Sequence, residues 1–193
     1  MSRFIFLALG NPGEQYRETR HNAGWLTLNA ILDKWNDPSI PLVWKFEKKI
    51  QSEVARLQFS GHEIIAVKPQ TFMNRSGEAA RLTLQWYANW NSDEPAPELP
   101  QLVVFHDDLD LELGSYKLKF GTGPQIHNGI NSLRQQLQTD QFWYARIGVD
   151  SRQGDRSMPG TAYVLQRLSS SEKQALNKVA SQIAEEIPYL LFA

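Results

Sequence analysis

The sequence predicts one α/β domain over residues 1–193, built on a mixed, mostly parallel sheet that is flanked by helices. Segments with strand patterns alternate along the chain with segments of helical periodicity, which is typical of parallel strands connected by helices. The 193 residues, of which 41% are hydrophobic, are enough for a single sizeable core. No internal repeat or low-complexity tract divides the chain.

The strands are predicted from continuous apolar runs and from alternation of apolar and polar residues. They are expected at residues 3–9, Gln51–Phe59, Glu63–Lys68, Leu102–Phe105, Ser115–Phe120 and Phe142–Val149. The run at residues 3–9 is short for a signal peptide and is followed by Asn11, Pro12 and Gly13. It therefore indicates a buried strand.

The helices are predicted from apolar stripes and capping residues. They are expected from Asn22 to about Trp35, from about Ser76 to Trp90, from Asn128 to about Gln138, and from Ser169 to near Pro188. Asn22 is expected to cap the first helix, and Ser169 with Glu172 has the capping-box pattern. The stretch Asn91–Pro100 is rich in Pro, Asp and Glu, so a solvated loop is expected there.

Composition excludes several classes of site. The chain has no cysteine, which excludes a disulfide scaffold, thiolate metal ligands and a cysteine nucleophile, and which fits a reducing cytosol. The net charge of −1 gives no bulk attraction for nucleic acid, so any such contact would come from a local basic patch. No apolar run approaches the roughly 20 residues that span a bilayer.

One histidine and one acidic run are expected at strand ends. His21 follows the first strand in a loop rich in glycines and amides, and a histidine can act as a base near neutral pH. Asp107 follows the strand Leu102–Phe105 after His106. Because sites in open α/β sheets collect at the carboxyl ends of strands, His21 and Asp107 are expected to meet. Taken alone, the run Asp107–Asp110 is more typical of a solvated turn.

No residue fits the role of a covalent nucleophile. No Gly-x-Ser-x-Gly motif is present, so a histidine–aspartate pair indicates attack by an activated water. A developing oxyanion would then need amide donors. The candidates are Asn11, Asn22, Asn74 and Asn128, although asparagine is also common in turns and at helix N-caps.

A metal site is the competing interpretation of the same residues. His21, His106, Asp107 and Asp108 have suitable ligand atoms, but no His-x-x-x-His or comparable spacing is present. His62 is expected in a hairpin turn, exposed to solvent. The histidine–aspartate pair is therefore preferred to a metal centre.

Basic residues suggest a local contact with phosphate. Lys117 and Lys119 alternate on one strand and project from the same face, and Arg146 would join them if its strand is a neighbour. Lys45, Lys48 and Lys49 form a second basic cluster. Without other support, both groups are more typical of a solvated surface.

Together these segments resemble the bacterial peptidyl-tRNA hydrolases. The matching motifs, in order, are Gly10-Asn11-Pro12-Gly13 with Tyr16, Thr19-Arg20-His21-Asn22-Ala23-Gly24, Lys68-Pro69-Gln70-Thr71-Phe72-Met73-Asn74-Arg75-Ser76-Gly77, His106-Asp107-Asp108-Leu109-Asp110 with Gly114, Lys117-Leu118-Lys119, His127-Asn128-Gly129 and Arg146-Ile147-Gly148. The similarity runs from residue 3 to about residue 187. Several motifs in one order are far more specific than any single motif.

The resemblance implies a cytoplasmic monomer of the translation machinery that hydrolyses the ester between a peptide and the 3′ end of tRNA. It implies that His21 is the base that activates water, that Asp107 holds His21, and that no metal, organic cofactor or membrane takes part. The residues it assigns to substrate and tRNA binding are Asn11, Tyr16, Phe72, Met73, Asn74, Lys117, Lys119, His127, Asn128 and Arg146. Of these, Lys119 and Arg146, with Lys117, would grip the tRNA 5′ phosphate.

The loop before His127 departs from the family pattern. That loop is usually glycine-rich and carries another histidine, whereas this chain has Pro124 at the histidine position and Gln125 and Ile126 in place of glycines. The altered loop is expected to be stiffer. Two alternatives therefore remain open: a catalytically weakened tRNA-binding relative, and a metal-dependent hydrolase of another substrate.

Overall fold

A seven-stranded mixed sheet with helices on both faces forms the centre of the molecule, which confirms the predicted α/β class. The computed structural model describes residues 2–91 and 96–192. The strands are Arg3–Ala8 (β1), Lys45–Glu47 (β2), Ser52–Phe59 (β3), His62–Pro69 (β4), Leu99–Glu112 (β5), Tyr116–Phe120 (β6) and Phe142–Asp150 (β7). The helices are Ala23–Trp35 (α1), Ser76–Tyr87 (α2), Asn128–Leu137 (α3), Gly160–Tyr163 (α4) and Ser170–Leu191 (α5).

The strand order across the sheet is β2-β3-β4-β1-β5-β7-β6. The four central strands β4, β1, β5 and β7 are parallel, and antiparallel pairs complete both edges. This order places β6 beside β7, so Lys117 pairs directly with Arg146. It also brings the carboxyl ends of β1 and β5 together, since Ala8 pairs with Phe105.

Alternation along the central strands supplies the core on both faces. In β1, Phe4 and Phe6 face α1 and α5, whereas Ile5 and Leu7 face α2 and α3. The side chains of successive strand residues point to opposite faces of the sheet. A strand that is buried on both faces is therefore apolar throughout. This is why residues 3–9 read as a continuous apolar run.

The observed elements differ from the predicted ones at several points. β5 continues past Phe105 through the acidic run Asp107–Asp110, because β7 keeps pairing with it at Asp108 and again at Glu112. β2, a strand of three residues, was not predicted. α2 ends at Tyr87, before the predicted end. Of the predicted loop at residues 91–100, positions 92–95 lie outside the described residues.

α5 also runs further than predicted, to Leu191 beyond Pro188. A proline inside a helix has no N–H to donate to the carbonyl four residues earlier, which here belongs to Ala184. The indole N–H of Trp35 on α1 donates to that carbonyl at 3.2 Å. The hydrogen bond that the helix lacks is thus made by its neighbour. Within the described ranges, no helix has the length and apolar character needed to cross a membrane.

Candidate active site

A cleft of about 1080 Å³ opens beyond the carboxyl ends of β1 and β5. Its floor, called here the cleft floor, consists of Asn11, His21, Asp107 and His127. Residues 72–75 and 125–128 form the first wall. The second wall is formed by lining residues between Met158 and Leu165, on and beside α4.

His21 and Asp107 meet on the cleft floor as predicted, although Asp107 lies within β5 and not after its end. The His21 Nδ1–H donates to both oxygens of Asp107, at 2.9 and 3.1 Å. The side chain of Asp107 is 3% exposed and that of His21 is 12% exposed. Nε2 of His21 accepts no hydrogen bond from the described residues and faces the cleft. The lone pair of Nε2 is therefore free on a histidine that lines the cleft.

Charge and burial compete in setting the pKa of both groups. Burial is the largest influence on the pKa of His21 and lowers it, but the charge and hydrogen bonds of Asp107 together raise that pKa above its usual value. Burial likewise opposes ionisation of Asp107, yet the His21 and His127 imidazoles lower its pKa well below the usual range. Asp107 is consequently a carboxylate at neutral pH, and protonated His21 is stabilised beside it.

His127 is a second hydrogen-bond donor to the same carboxylate, a contact that the sequence did not predict. Its Nε2–H donates to Asp107 Oδ1 at 2.9 Å. Its Nδ1 accepts the backbone N–H groups of Gly129 and Ile130, at 3.1 and 3.2 Å, and so caps the start of α3. Because Nδ1 accepts, the ring proton must lie on Nε2. His127 therefore orients Asp107 and has no free lone pair.

The third nearby histidine has a structural position. His106 is fully buried on β5, and its Nδ1–H donates to the carbonyl of Asp107 at 2.8 Å. Burial, followed by the neighbouring His127, lowers the pKa of His106 to about 3. A neutral ring outside the cleft lining is not a candidate base.

Two asparagines behind the floor have different roles. Asn22 is completely buried, and its amide holds the backbone of Asn11 from both sides, accepting at 2.9 Å and donating at 3.0 Å. Asn22 is thus neither an oxyanion donor nor a side-chain cap of α1, in contrast to the sequence-based expectation. Oδ1 of Asn11 accepts the N–H of Met73 at 2.8 Å, which leaves Nδ2 of Asn11 as a fixed donor at the cleft.

The other predicted substrate residues line the first wall or stand behind it. Asn74 and Asn128 are exposed on this wall, and Phe72 is exposed at its edge. Met73 is buried beneath them. Tyr16 does not line the cleft, but its ring packs edge-on against Phe72 with centroids 6.4 Å apart. Tyr16 supports the wall from behind.

The segment that carries His21 is fixed to the start of α5. The N–H of His21 donates to the carbonyl of Val164 at 2.8 Å. The preceding residue, Arg20, forms a buried ion pair with Glu172 at 2.5 Å and stacks on the ring of Tyr163 at 4.3 Å. These contacts join the cleft floor to the second wall. The sequence indicated Glu172 only as part of the capping box, which is indeed formed.

The floor also resembles a metal site in composition, because His21, Asp107 and His127 offer three ligand atoms within 4.8 Å of one another. However, Nδ1 of His21 and Nε2 of His127 both lie at hydrogen-bonding distance from Asp107. A metal would require a lone pair on Nε2 of His127, which holds a proton as long as Nδ1 caps α3. The donor set therefore fits hydrogen bonding better than metal coordination.

The basic residues lie along the β6 edge of the sheet, called here the basic edge (Lys117, Lys119 and Arg146). Lys117 and Lys119 are exposed and form no ion pair within the described ranges. Arg146 differs, because its Nε donates to the buried carboxylate of Asp108 at 2.6 Å. Asp108 lines the cleft, so Arg146 connects the basic edge to the site. This ion pair was not predicted.

The second wall is the largest feature that sequence analysis missed. Its lining residues include Gly160, Thr161 and Leu165, which lie on or just after a helix of four residues. Arg152 and Arg156 line the same end of the cleft, and both bind Asp150. The grouping of Asp150, Arg152 and Arg156 was the only sequence signal in this region.

Comparison with known proteins gives the family of this chain. The family model for peptidyl-tRNA hydrolase matches residues 5–193. Peptidyl-tRNA hydrolases of Neisseria meningitidis serogroup C and Brevibacillus brevis are 35% and 34% identical, covering 97% and 94% of this chain and 90% and 87% of their own. The crystal structure of peptidyl-tRNA hydrolase from Acinetobacter baumannii superposes with a TM-score of 0.80 at 28% identity, over 100% of this chain and 89% of that one. This chain belongs to the peptidyl-tRNA hydrolase family.

Proposed function

We propose that this chain hydrolyses the ester that joins a peptide to the 3′ end of tRNA, using a water activated by His21. One observation carries the proposal. The Nδ1–H of His21 is held by the buried carboxylate of Asp107, Nε2 accepts no hydrogen bond from the described residues, and Asn11, whose oxygen is bound to Met73, lines the same cleft. A base, an orienting carboxylate and a fixed donor are the parts that water-mediated acyl transfer needs.

In the first step, Nε2 of His21 takes a proton from water as the water oxygen attacks the ester carbonyl. Asp107 stabilises the positive charge that forms on the imidazole. The same carboxylate raises the pKa of His21, which makes His21 a stronger base for this step. His127 keeps Asp107 in place through the opposite side of Oδ1.

In the second step, the tetrahedral intermediate collapses. Its oxyanion accepts the Nδ2–H of Asn11, which is preorganised because its own oxygen is bound to Met73. The proton on His21 passes to the departing ribose oxygen, which releases free tRNA and a free peptide. Asn74 and Asn128 on the first wall position the ester. These steps use only side chains of this chain and water.

The basic edge would bind the tRNA. Lys117, Lys119 and Arg146 lie together on neighbouring strands, and cationic side chains on one face can share a phosphate group. The Arg146–Asp108 contact fixes the guanidinium and leaves its terminal nitrogens for phosphate.

Release of free tRNA from an N-acetylaminoacyl-tRNA tests the proposal. His21→Ala is expected to lower turnover by about 100-fold or more, the usual scale for loss of a general base. Binding of deacylated tRNA should be retained. His62→Ala, which removes a histidine outside the cleft, is the control.

Two results would contradict the proposal. Turnover of His21→Ala near that of the unmodified enzyme would exclude His21 as the base. Binding of tRNA without any hydrolysis by the unmodified chain would favour the catalytically weakened relative instead.

A further inference from the structure

We propose that the cleft selects among peptidyl groups, favouring a bulky apolar side chain on the residue that is esterified to tRNA. Ile126 and Phe72 on the first wall, with Leu165 and Met158 on the second, would contact that side chain. The inference rests on the proposed function and adds a substrate preference to it.

Exposed apolar side chains are concentrated at this cleft. Ile126 is 86% exposed, Phe72 55%, Leu165 46% and Met158 36%, and all four line the cleft. Ile126 is the most exposed large apolar residue in the described part of the chain. Exposed apolar side chains that line a cleft offer surface that a ligand can cover.

The two segments that carry the apolar residues of the first wall pack on each other. Gly129 at the start of α3 packs so closely on Met73 that a Cβ at Gly129 would lie 2.5 Å from the Met73 sulfur. Phe72 directly precedes Met73, and Ile126 precedes Gly129 by three residues. The close packing of these two segments therefore places Phe72 and Ile126 on one lip of the cleft.

The opposite lip is fixed to the base. The carbonyl of Val164 accepts the N–H of His21, and Leu165 follows directly. An acyl group whose carbonyl lies at Nε2 of His21 would thus have its side chain between the two lips. The distance from base to lip is set by backbone contacts rather than by flexible side chains.

The arginines at the cleft do not compete with this apolar contact. Three arginines line the cleft, but each is bound to a carboxylate of its own segment: Arg75 to Glu78, and Arg152 and Arg156 to Asp150. The exposed apolar side chains of both walls are therefore available to a substrate group. Such side chains discriminate by the apolar surface that they bury on the substrate.

The test compares two acyl groups on one tRNA body, N-acetyl-leucyl and N-acetyl-glycyl. The unmodified enzyme is expected to show a kcat/KM for the leucyl ester about tenfold above that for the glycyl ester, the lower end of discrimination by an apolar pocket because this one is open. Ile126→Ala should reduce the ratio to about half or less, and Ile126→Leu should restore it.

Ile40→Ala is the matched control, because Ile40 is 60% exposed and lies outside the cleft lining. It should leave the ratio unchanged. Equal kcat/KM for both esters in the unmodified enzyme would overturn the inference and leave the proposed function intact. An equal loss on both esters in Ile126→Ala would also overturn it, since Ile126 would then contact the terminal nucleoside. Failure to hydrolyse either ester would instead refute the proposed function.

Discussion

The cleft floor and the basic edge hold their charged groups in opposite ways. On the floor, Asp107 is buried and receives hydrogen bonds from two imidazoles, each of which is fixed by further contacts. At the edge, Lys117 and Lys119 extend into solvent without an ion pair in the described ranges. Arg146 belongs to both regions, since it lies on the edge and binds Asp108 beneath the cleft.

Because of this difference, we expect the cleft floor to determine the catalytic rate and the basic edge to determine the affinity for tRNA. A buried, multiply bonded group keeps the precise orientation that proton transfer needs, whereas an exposed lysine provides attraction for phosphate without fixed geometry. Changes on the floor are therefore expected to lower kcat, and changes at the edge to raise KM.

The strongest test of the floor after His21 is Asp107→Asn. The amide oxygen can still accept both imidazole N–H groups, but the negative charge is lost. Turnover is expected to fall by roughly tenfold to a hundredfold, less than for His21→Ala, with tRNA binding retained. Glu112→Gln, an exposed change on the same strand outside the cleft lining, is the control. A loss confined to binding would make Asp107 a structural or substrate-contacting residue.

The pH profile distinguishes charge from position. His21 acts as a base only when it is unprotonated, so kcat falls as the pH drops through its raised pKa. In Asp107→Asn the influence that raises this pKa is absent, while burial, which lowers it, remains. The acid limb of kcat is therefore expected to move to lower pH. If the acid limb of kcat stays at the same pH in Asp107→Asn, a group other than His21 is responsible for it.

Glu172→Gln tests how the floor is held from behind. The glutamine oxygen can still accept from Arg20, but the buried guanidinium loses its counter-charge. The free energy of unfolding is expected to fall by roughly 1–3 kcal/mol, and kcat should fall less than for Asp107→Asn. Urea unfolding and tRNA release measure the two effects. Glu185→Gln, an exposed change on the same helix, should affect neither.

At the basic edge, Lys119 and Arg146 are expected to differ. Lys119→Ala should raise KM for tRNA substrates with little change in kcat, and should reduce the salt slope of binding by about 1. Arg146→Ala leaves the buried Asp108 unpaired, so it should also lower kcat and stability. Esters without a tRNA body separate these effects. Identical behaviour of the two variants would mean that the Asp108 contact has no role.

The smallest effect is expected in the altered loop. The carbonyl of Pro124 is bound by Arg134 at 3.3 Å, whereas Gln125 and Ile126 are exposed. Glycine at both exposed positions should allow the loop to open more readily, which raises turnover and weakens substrate binding if opening limits the rate. Ile126→Ala removes the same side chain without the backbone freedom of glycine. Unchanged kcat and KM in the double glycine variant would make loop stiffness irrelevant.

Local sequence patterns were enough to predict most of the fold and the pairing of His21 with Asp107 on the cleft floor. The apolar run of β1 and the capping box at Ser169 depend on nearby residues, and both were predicted. The pairing of His21 with Asp107 followed from a general rule about strand ends. The edge contact of Lys117 and Arg146 was conditional on strand order, which the sequence left open.

What the sequence could not reveal depends on distant contacts. The second bond to Asp107 requires His127 to cap α3 with one nitrogen and reach β5 with the other. Asn22 is fully buried only because Asn11 folds back onto it. The second wall has no motif, since α4 is four residues long. Each of these features is defined by residues that are far apart in the chain or by a very short element.

Helices α1 and α5 are joined near both ends. Arg20, just before α1, binds Glu172 in the first turn of α5, and Trp35 at the end of α1 donates to the carbonyl freed by Pro188. On α5 the two attachment points, Glu172 and Ala184, are twelve positions apart, about 18 Å of helical rise.

The two helices are thus held together at two separate points along α5. An insertion or deletion of one residue between Glu172 and Ala184 would shift the two attachments relative to each other by about 1.5 Å and rotate them by about 100°. Only one attachment could then be kept. The solvent-facing side chains in the middle of α5 are free to vary in kind, but the number of residues there is constrained by the position of His21.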